Sequence, residues 1–243
     1  MRVAILSDIH GNRHALESVL VDVDAISVDE TWCLGDVVGY GADPSDCCAL
    51  VREHASICLA GNHDLAVTGE IPTDEFARGA AVAAEWTQET IDPDQLEWLR
   101  TLRPSHEAAG IALYHGSPRE PVWEYVLDPL TAAISMDIQS ERVACIGHSH
   151  VALSYHRPPE GDASGTRRER GDRVDLDPGE WLLNPGSVGQ PRDGDPRAAW
   201  LVLDTDRQTA EWHRTAYDIA GAQTAIRRAR LPESLAERLE YGQ

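Results

Sequence analysis

The chain has 243 residues, with 41 acidic against 21 basic ones and a formal net charge of −20, and every basic residue is Arg. That balance argues against a nucleic-acid scaffold, whose phosphate contacts need basic surface, and the length allows one large α/β domain or at most two small ones. No stretch approaches the ~18 consecutive apolar residues of a membrane span, and the opening apolar run is too short for a secretory signal before it meets Asp8.

Val3 to Leu6 reads as an opening strand that stops on Asp8, His10 and Gly11. From Arg13 to Asp24, Ala15, Leu16, Val19, Leu20 and Val23 recur at helical spacing. Thr31 to Leu34 is a second strand, ending on Gly35-Asp36. Asp43-Pro44 opens a helix that runs to about His54, with Asp as cap and Pro at the first position. Ser56 to Ala60 is a third strand, ending on Gly61-Asn62-His63-Asp64. This alternation is a parallel α/β unit. Residues from Thr73 to Leu102 read as two helices, the second starting at Asp92-Pro93 and burying Leu96, Leu99 and Leu102.

Ile111 to Tyr114 is a fourth strand, ending on His115. A helix runs from Asp128-Pro129 to about Gln139. Val143 to Ile146 is a fifth strand, ending on His148 and His150, and Val151 to His156 runs back as a sixth. Residues 158–180 are rich in Gly, Pro, Asp and Arg and read as a polar loop or hairpin excursion within one domain spanning 1–243. Trp181 to Leu183 is a strand, Ala198 to Asp204 and Thr209 to Thr215 form an antiparallel hairpin, and a helix from Asp218 to Arg228 precedes a short acidic tail. The expected fold is a two-sheet α/β sandwich flanked by helices, with the site cleft along one edge.

The odd number of cysteines, Cys33, Cys47, Cys48, Cys58 and Cys145, lies in these core patterns without metal spacing, which points to reduced thiols and a cytoplasmic protein. The acidic surface fits a salt-loving cell, because at ~1 M salt the Debye length of ~3 Å screens self-repulsion.

Taken singly, Asp8 or Asp36 would be a turn or cap residue, Asn62 a turn former and His115 a packing histidine. Together, Asp8, His10, Asp36, Asn62, His63, His115, His148 and His150 sit in order at successive strand ends, where open α/β sheets place their chemistry. Carboxylate, imidazole and amide without thiolate suit Mn, Fe, Ni or Zn, rather than the all-oxygen preference of Mg or Ca. Even seven of these eight as ligands are too many for one ion; with one shared carboxylate they fill two.

The blocks Asp8-x-His10, Gly35-Asp36, Gly61-Asn62-His63-Asp64, His115 and Gly147-His148-x-His150 resemble those of the calcineurin-like metallophosphoesterases, in the same order. Asn184-Pro185-Gly186-Ser187-Val188-Gly189-Gln190-Pro191-Arg192 is similar to a loop of the small single-domain prokaryotic phosphodiesterase branch. The resemblance implies that Asp8, His10 and His150 hold one metal and Asn62, His115 and His148 the other, with Asp36 bridging. It implies a hydroxide activated between two divalent ions, with Mn the cofactor to expect in vitro. It also implies that His63 stands beside the phosphate to stabilise charge or protonate the leaving oxygen, oriented by Asp64, with Asn62 touching the substrate. Arg192 is a further candidate phosphate contact, by bidentate geometry.

The stretch Gly35-Asp36-Val37-Val38-Gly39-Tyr40-Gly41 lacks the Arg that follows Gly-Asp in protein Ser/Thr phosphatases, which counts against a protein-phosphatase or dinucleoside-tetraphosphatase assignment. The expected activity is hydrolysis of small phosphodiesters, nucleotides among them. The alternatives are a phosphomonoesterase or phosphoprotein phosphatase, and a non-catalytic scaffold of the same fold. Residues 158–180, Trp123 and Tyr125 are candidates for specificity, although aromatics more often serve packing.

Overall fold

Strands buried on both faces read as unbroken apolar runs, and runs of this kind form the centres of two sheets. The computed structural model describes residues 1–176 and 178–243, so Asp177, within the 158–180 stretch, lies outside the described residues. The first half is built from β1 (Arg2–Leu6), α1 (Arg13–Ala25), β2 (Glu30–Cys33), α2 (Pro44–His54), β3 (Ile57–Cys58), α3 (Asn62–Thr68), α4 (Arg78–Thr90), α5 (Pro93–Leu99), β4 (Ser105–Ala108), β5 (Ile111–Tyr114) and α6 (Pro129–Met136). The rest is β6 (Val143–Ile146), β7 (Ala152–Arg157), β8 (Ser164–Arg167), β9 (Arg173–Asp175), β10 (Glu180–Pro185), β11 (Ala198–Asp204), β12 (Thr209–Thr215), α7 (Ile219–Arg228), α8 (Glu233–Glu237) and a 3-10 turn, Arg238–Glu240.

One sheet has the order β3-β2-β1-β11-β12-β9, the other β4-β5-β6-β10-β7-β8. The pairs β1/β2, β2/β3, β5/β6 and β6/β10 are parallel. The chain then turns antiparallel, β11 running between β1 and β12. Because side chains alternate across a strand, Val3 and Ile5 face the space between the sheets and meet Leu113, Cys145, Leu183, Leu201 and Trp212. Ala4 and Leu6 face outward, under α1 and α2. The other sheet is covered by α6 through Ala132 and Met136, against Ala112, Ala144 and Leu182. The expected two-sheet sandwich with flanking helices is what forms.

Several details differ from the sequence reading. The third strand is only two residues long, because Gly61 starts α3 directly: the Gly61 N–H donates to the Asp64 carboxylate at 2.9 Å, as a helix start requires. Asp43 stands at the start of α2 with Pro44 at the first position, but its side chain makes no capping hydrogen bond. Helix α5 ends at Leu99, and Leu96 is only half-buried. The stretch after residue 158 adds an edge strand to each sheet, β8 on β7 and β9 on β12. The presumed acidic tail folds into α8 and the 3-10 turn, packed through Leu235 and Leu239 on α4 and α7.

Candidate metal centre

Strands β1, β2, β5 and β6 all end at the same end of the sandwich, and the loops that follow them meet there. Hydrogen bonds between loops set their positions: Asp8 N–H to Gly35 O, His10 N–H to Asp36 O, and Gly147 N–H to His115 O. The cleft therefore opens where these strands end. Six side-chain-bearing residues of these loops take left-handed backbone: Asp8 at φ 55°, His10 at 51°, Asp36 at 53°, Tyr40 at 55°, His148 at 63° and His150 at 58°. Each such residue costs about 1–3 kcal/mol, a strain that concentrates where a site needs fixed geometry.

The donor atoms of Asp8, His10, Asp36 and His150 all lie within 4.8 Å of one another, and so do those of Asp36, His115 and His148. Asp36 belongs to both sets. Its Oδ2 stands 3.5 Å from His10 Nε2 and 3.6 Å from His115 Nε2. The amide oxygen of Asn62 is 3.3 Å from His115 Nε2, which brings it to the second set.

Three histidines are aimed by their outer nitrogens. His10 Nδ1 donates to Val38 O at 3.0 Å, His115 Nδ1 to Leu34 O at 2.9 Å, and His150 Nδ1 to Gln190 O at 2.7 Å. Each therefore turns an Nε2 lone pair inward, as metal-ligating histidines do. His148 is reversed: Nε2 donates to Trp123 O at 3.2 Å and leaves the Nδ1 lone pair free. In consequence the lone pairs of His10 Nε2 and His150 Nε2 face each other at 3.1 Å. Asp8 Oδ1 and Asp36 Oδ2 are buried beside them without a hydrogen-bond partner. A knot of acceptors with no donor is costly unless a cation sits among them. The residues present thus fit a pair of divalent cations.

Titration behaviour agrees. Burial, opposed by His115, pushes the Asp8 carboxyl up to about 7. Burial and then Asp64 push Asp36 well up, and burial lifts Asp64 to about 6. Burial, then His63 and Arg192, holds His10 well below the usual imidazole range. Burial likewise depresses His63, His148 and His150, with Arg192 or His115 the next cause. The metal-free pocket thus favours neutral imidazoles and resists ionised carboxyls, both of which a cation would relieve.

His63 lies at the wall of the cleft, its ring 4.8 Å from those of His10 and Phe76 and 4.4 Å from Tyr40. Asp64, expected to orient that ring, does not touch it: its oxygens accept from Gly61 N–H and Val38 N–H, and His63 Nδ1 has no partner. Asp64 instead ties the start of α3 to the loop after β2, and so fixes the backbone on which His63 stands. Arg192 reaches the cleft and donates to Tyr40 Oη at 3.2 Å and to Gln190 Oε1 at 3.0 Å. Trp123 and Tyr125 line the same cleft of 260 Å³; Tyr125 stacks on His148 at 4.0 Å, and Trp123 meets Phe76 edge-on. Residues 167–170, in the polar excursion, instead border a separate hollow with Asp193 and Arg214.

Tyr40, Phe76 and Arg238 also line the cleft and are not among the residues the sequence singles out. Tyr40 follows Gly39 in the stretch after Gly35-Asp36, and that glycine is the available signal. Phe76, just before α4, and Arg238, in the 3-10 turn, reach the cleft only through tertiary packing.

A helix-flanked two-sheet sandwich with paired His/Asp donors at its strand ends is the frame of a metal-dependent phosphoesterase. The calcineurin-like phosphoesterase superfamily domain matches residues 1–208, and the chain belongs to that superfamily. It is 34% identical over 246 residues to an uncharacterized protein of Methanocaldococcus jannaschii, covering 99% of this chain and 98% of the other. It is 29% identical over 174 residues to the symmetrical bis(5′-nucleosyl)-tetraphosphatase of Actinobacillus pleuropneumoniae serotype 5b, covering 66% of this chain and 60% of that one. Among solved structures, a metallophosphoesterase from Sphaerobacter thermophilus superposes with a TM-score of 0.90 at 39% identity, covering 100% of this chain and 99% of the other.

Proposed function

We propose that the protein is a two-metal phosphodiesterase acting on small, nucleotide-type phosphoesters, with Mn as its working cofactor in vitro. The observation that carries this reading is the sharing of Asp36 between two donor sets, Asp8, His10 and His150 on one side and His115 and His148 on the other, with Asn62 beside the latter. The first three would hold one ion and His115, His148 and Asn62 the second. When bound, the ions supply positive charge for the phosphate oxygens and lower the pKa of an attacking water.

The chain's own residues do the rest. His63 faces the phosphate and donates a hydrogen bond or a proton to the leaving oxygen. Asp64 keeps it in place through the backbone. Arg192 offers its fork to a phosphate oxygen; it rests on Tyr40, so it supplies a cation beside the stretch after Gly35-Asp36, which has none. That placement, with the likeness to a tetraphosphatase over part of its length, supports a nucleotide-type substrate. All five cysteines are unpaired, which supports a reducing, cytoplasmic setting.

Hydrolysis of bis-p-nitrophenyl phosphate and of p-nitrophenyl phosphate, each with added Mn, tests the reading. Turnover of the diester is expected. Turnover of the monoester alone would make the protein a phosphomonoesterase, and inertness towards both would leave a scaffold.

A further inference from the structure

In a chain with 41 acidic and 21 basic residues, several arginines have carboxylate partners. Arg157 pairs with Asp137 and Glu180, Arg214 with Asp193, Arg197 with Asp195 and Arg227 with Glu233. Arg192 and Arg238 form no ion pair among the described residues, and both line the cleft that holds the donor cluster. Both guanidiniums converge on one neutral acceptor, Gln190 Oε1, at 3.0 Å from Arg192 and 3.1 Å from Arg238. The Nε of Arg192 is buried with no partner at all.

Two adjacent cations on a single neutral oxygen repel each other. Burial and the neighbouring Arg192 together hold Arg238 below the usual guanidinium range. The arrangement is kept rigid nonetheless. Leu235 and Leu239 bury on either side of Arg238, while the Gln190 backbone carbonyl is the group that aims His150. Gln190 therefore ties the arginine pair to the donor cluster, with only Tyr40 between Arg192 and His10. Arg238 also lies beyond residues 1–208, which the superfamily domain matches.

We propose that Arg192 and Arg238 form a second anion subsite, which grips a further phosphate of the substrate next to the one being hydrolysed. A planar fork with unused N–H groups suits phosphate oxygens, and a doubly charged group would relieve the repulsion within the pair. This deepens the phosphoester reading above and rests on it. The substrate class becomes an ester carrying at least one more phosphate, as nucleoside di- and polyphosphates do, rather than a lone diester.

Two non-hydrolysable probes that differ by one anionic group isolate this subsite: methylphosphonate and methylenediphosphonate, bound to the Mn-loaded protein with Mn in excess and followed by calorimetry. The wild type should prefer the diphosphonate by about tenfold or more, a preference that should fall to near unity in Arg238→Gln and recover in part in Arg238→Lys. Arg192→Gln, which also loses its contact to the scissile phosphate, should weaken both probes and the diphosphonate more, and binding of methylphosphonate by Arg238→Gln reports that this variant is folded. An unchanged preference in both Gln variants overturns the proposal. So does an equal loss for both probes in Arg238→Gln, which would mean that Arg238 holds the first phosphate. Hydrolysis of bis-p-nitrophenyl phosphate by the wild type, measured alongside, tests the phosphodiesterase reading separately from the subsite.

Discussion

Asp36 is the residue on which both donor sets meet, and its other oxygen already accepts the His63 N–H at 2.8 Å. Asp36→Asn should therefore empty both metal positions, leaving less than one ion per chain by elemental analysis after dialysis; two retained ions would remove Asp36 from the centre. His63→Ala should keep its metals yet lower turnover by about 10²–10⁴, the usual loss for a general acid. A metal-depleted His63→Ala protein would show His63 to be a ligand instead. Asp8 makes a prediction about pH. Its carboxyl in the metal-free protein titrates near 7, raised from 3.8, so below pH 7 a proton occupies the oxygen that a cation needs. The histidines are depressed and hold no such proton. Metal uptake should thus release more protons at pH 6 than at pH 8.5, and affinity should fall about tenfold per pH unit below 7 for each proton displaced. Calorimetry in buffers of different ionisation enthalpy reads this directly; equal release at both pH values would contradict it.

Elements matter here chiefly through where they stop. The loop after β2 passes so close to α3 that a Cβ on Gly39 would lie 2.4 Å from His63 Nδ1, and Gly39 itself takes φ +93°. Gly39→Ala should push the His63 ring out of place and cut hydrolysis by about tenfold or more, with metal content unchanged. Wild-type turnover in that variant would mean the ring's position is not critical. Strand ends were readable from sequence because apolar runs stop abruptly at Asp8, Asp36, His115 and His148. The start of α3 was not. Gly61 to Asp64 read as the end of a strand, with Asn62 a turn former, since a two-residue strand and a seven-residue helix three residues on have no periodicity to detect. The C-terminal segment was obscured for a similar reason: α8 has five residues, and only its contacts with α4 and α7 keep it helical.

At the scale of the whole molecule, a net charge of −20 sits around a centre that must attract phosphate. Bound dications would outweigh Asp8 and Asp36 locally, while the surface carries the negative excess. Self-repulsion of that surface should make the fold more stable in molar KCl than in dilute buffer, read as a higher Tm. No change on dilution would show the acidic charges to be spaced widely enough not to matter. The sequence by itself determined the sandwich, its parallel first half and the order of the donor residues, because alternating burial and abrupt strand ends are local properties of the chain. It could not decide that Asp64 braces backbone rather than a ring, or that Arg192 and Arg238 meet on Gln190. Asp64 with Val38 and Arg238 with Gln190 are tens of positions apart, and they meet only once two sheets and a C-terminal helix pair have packed and brought the loops together.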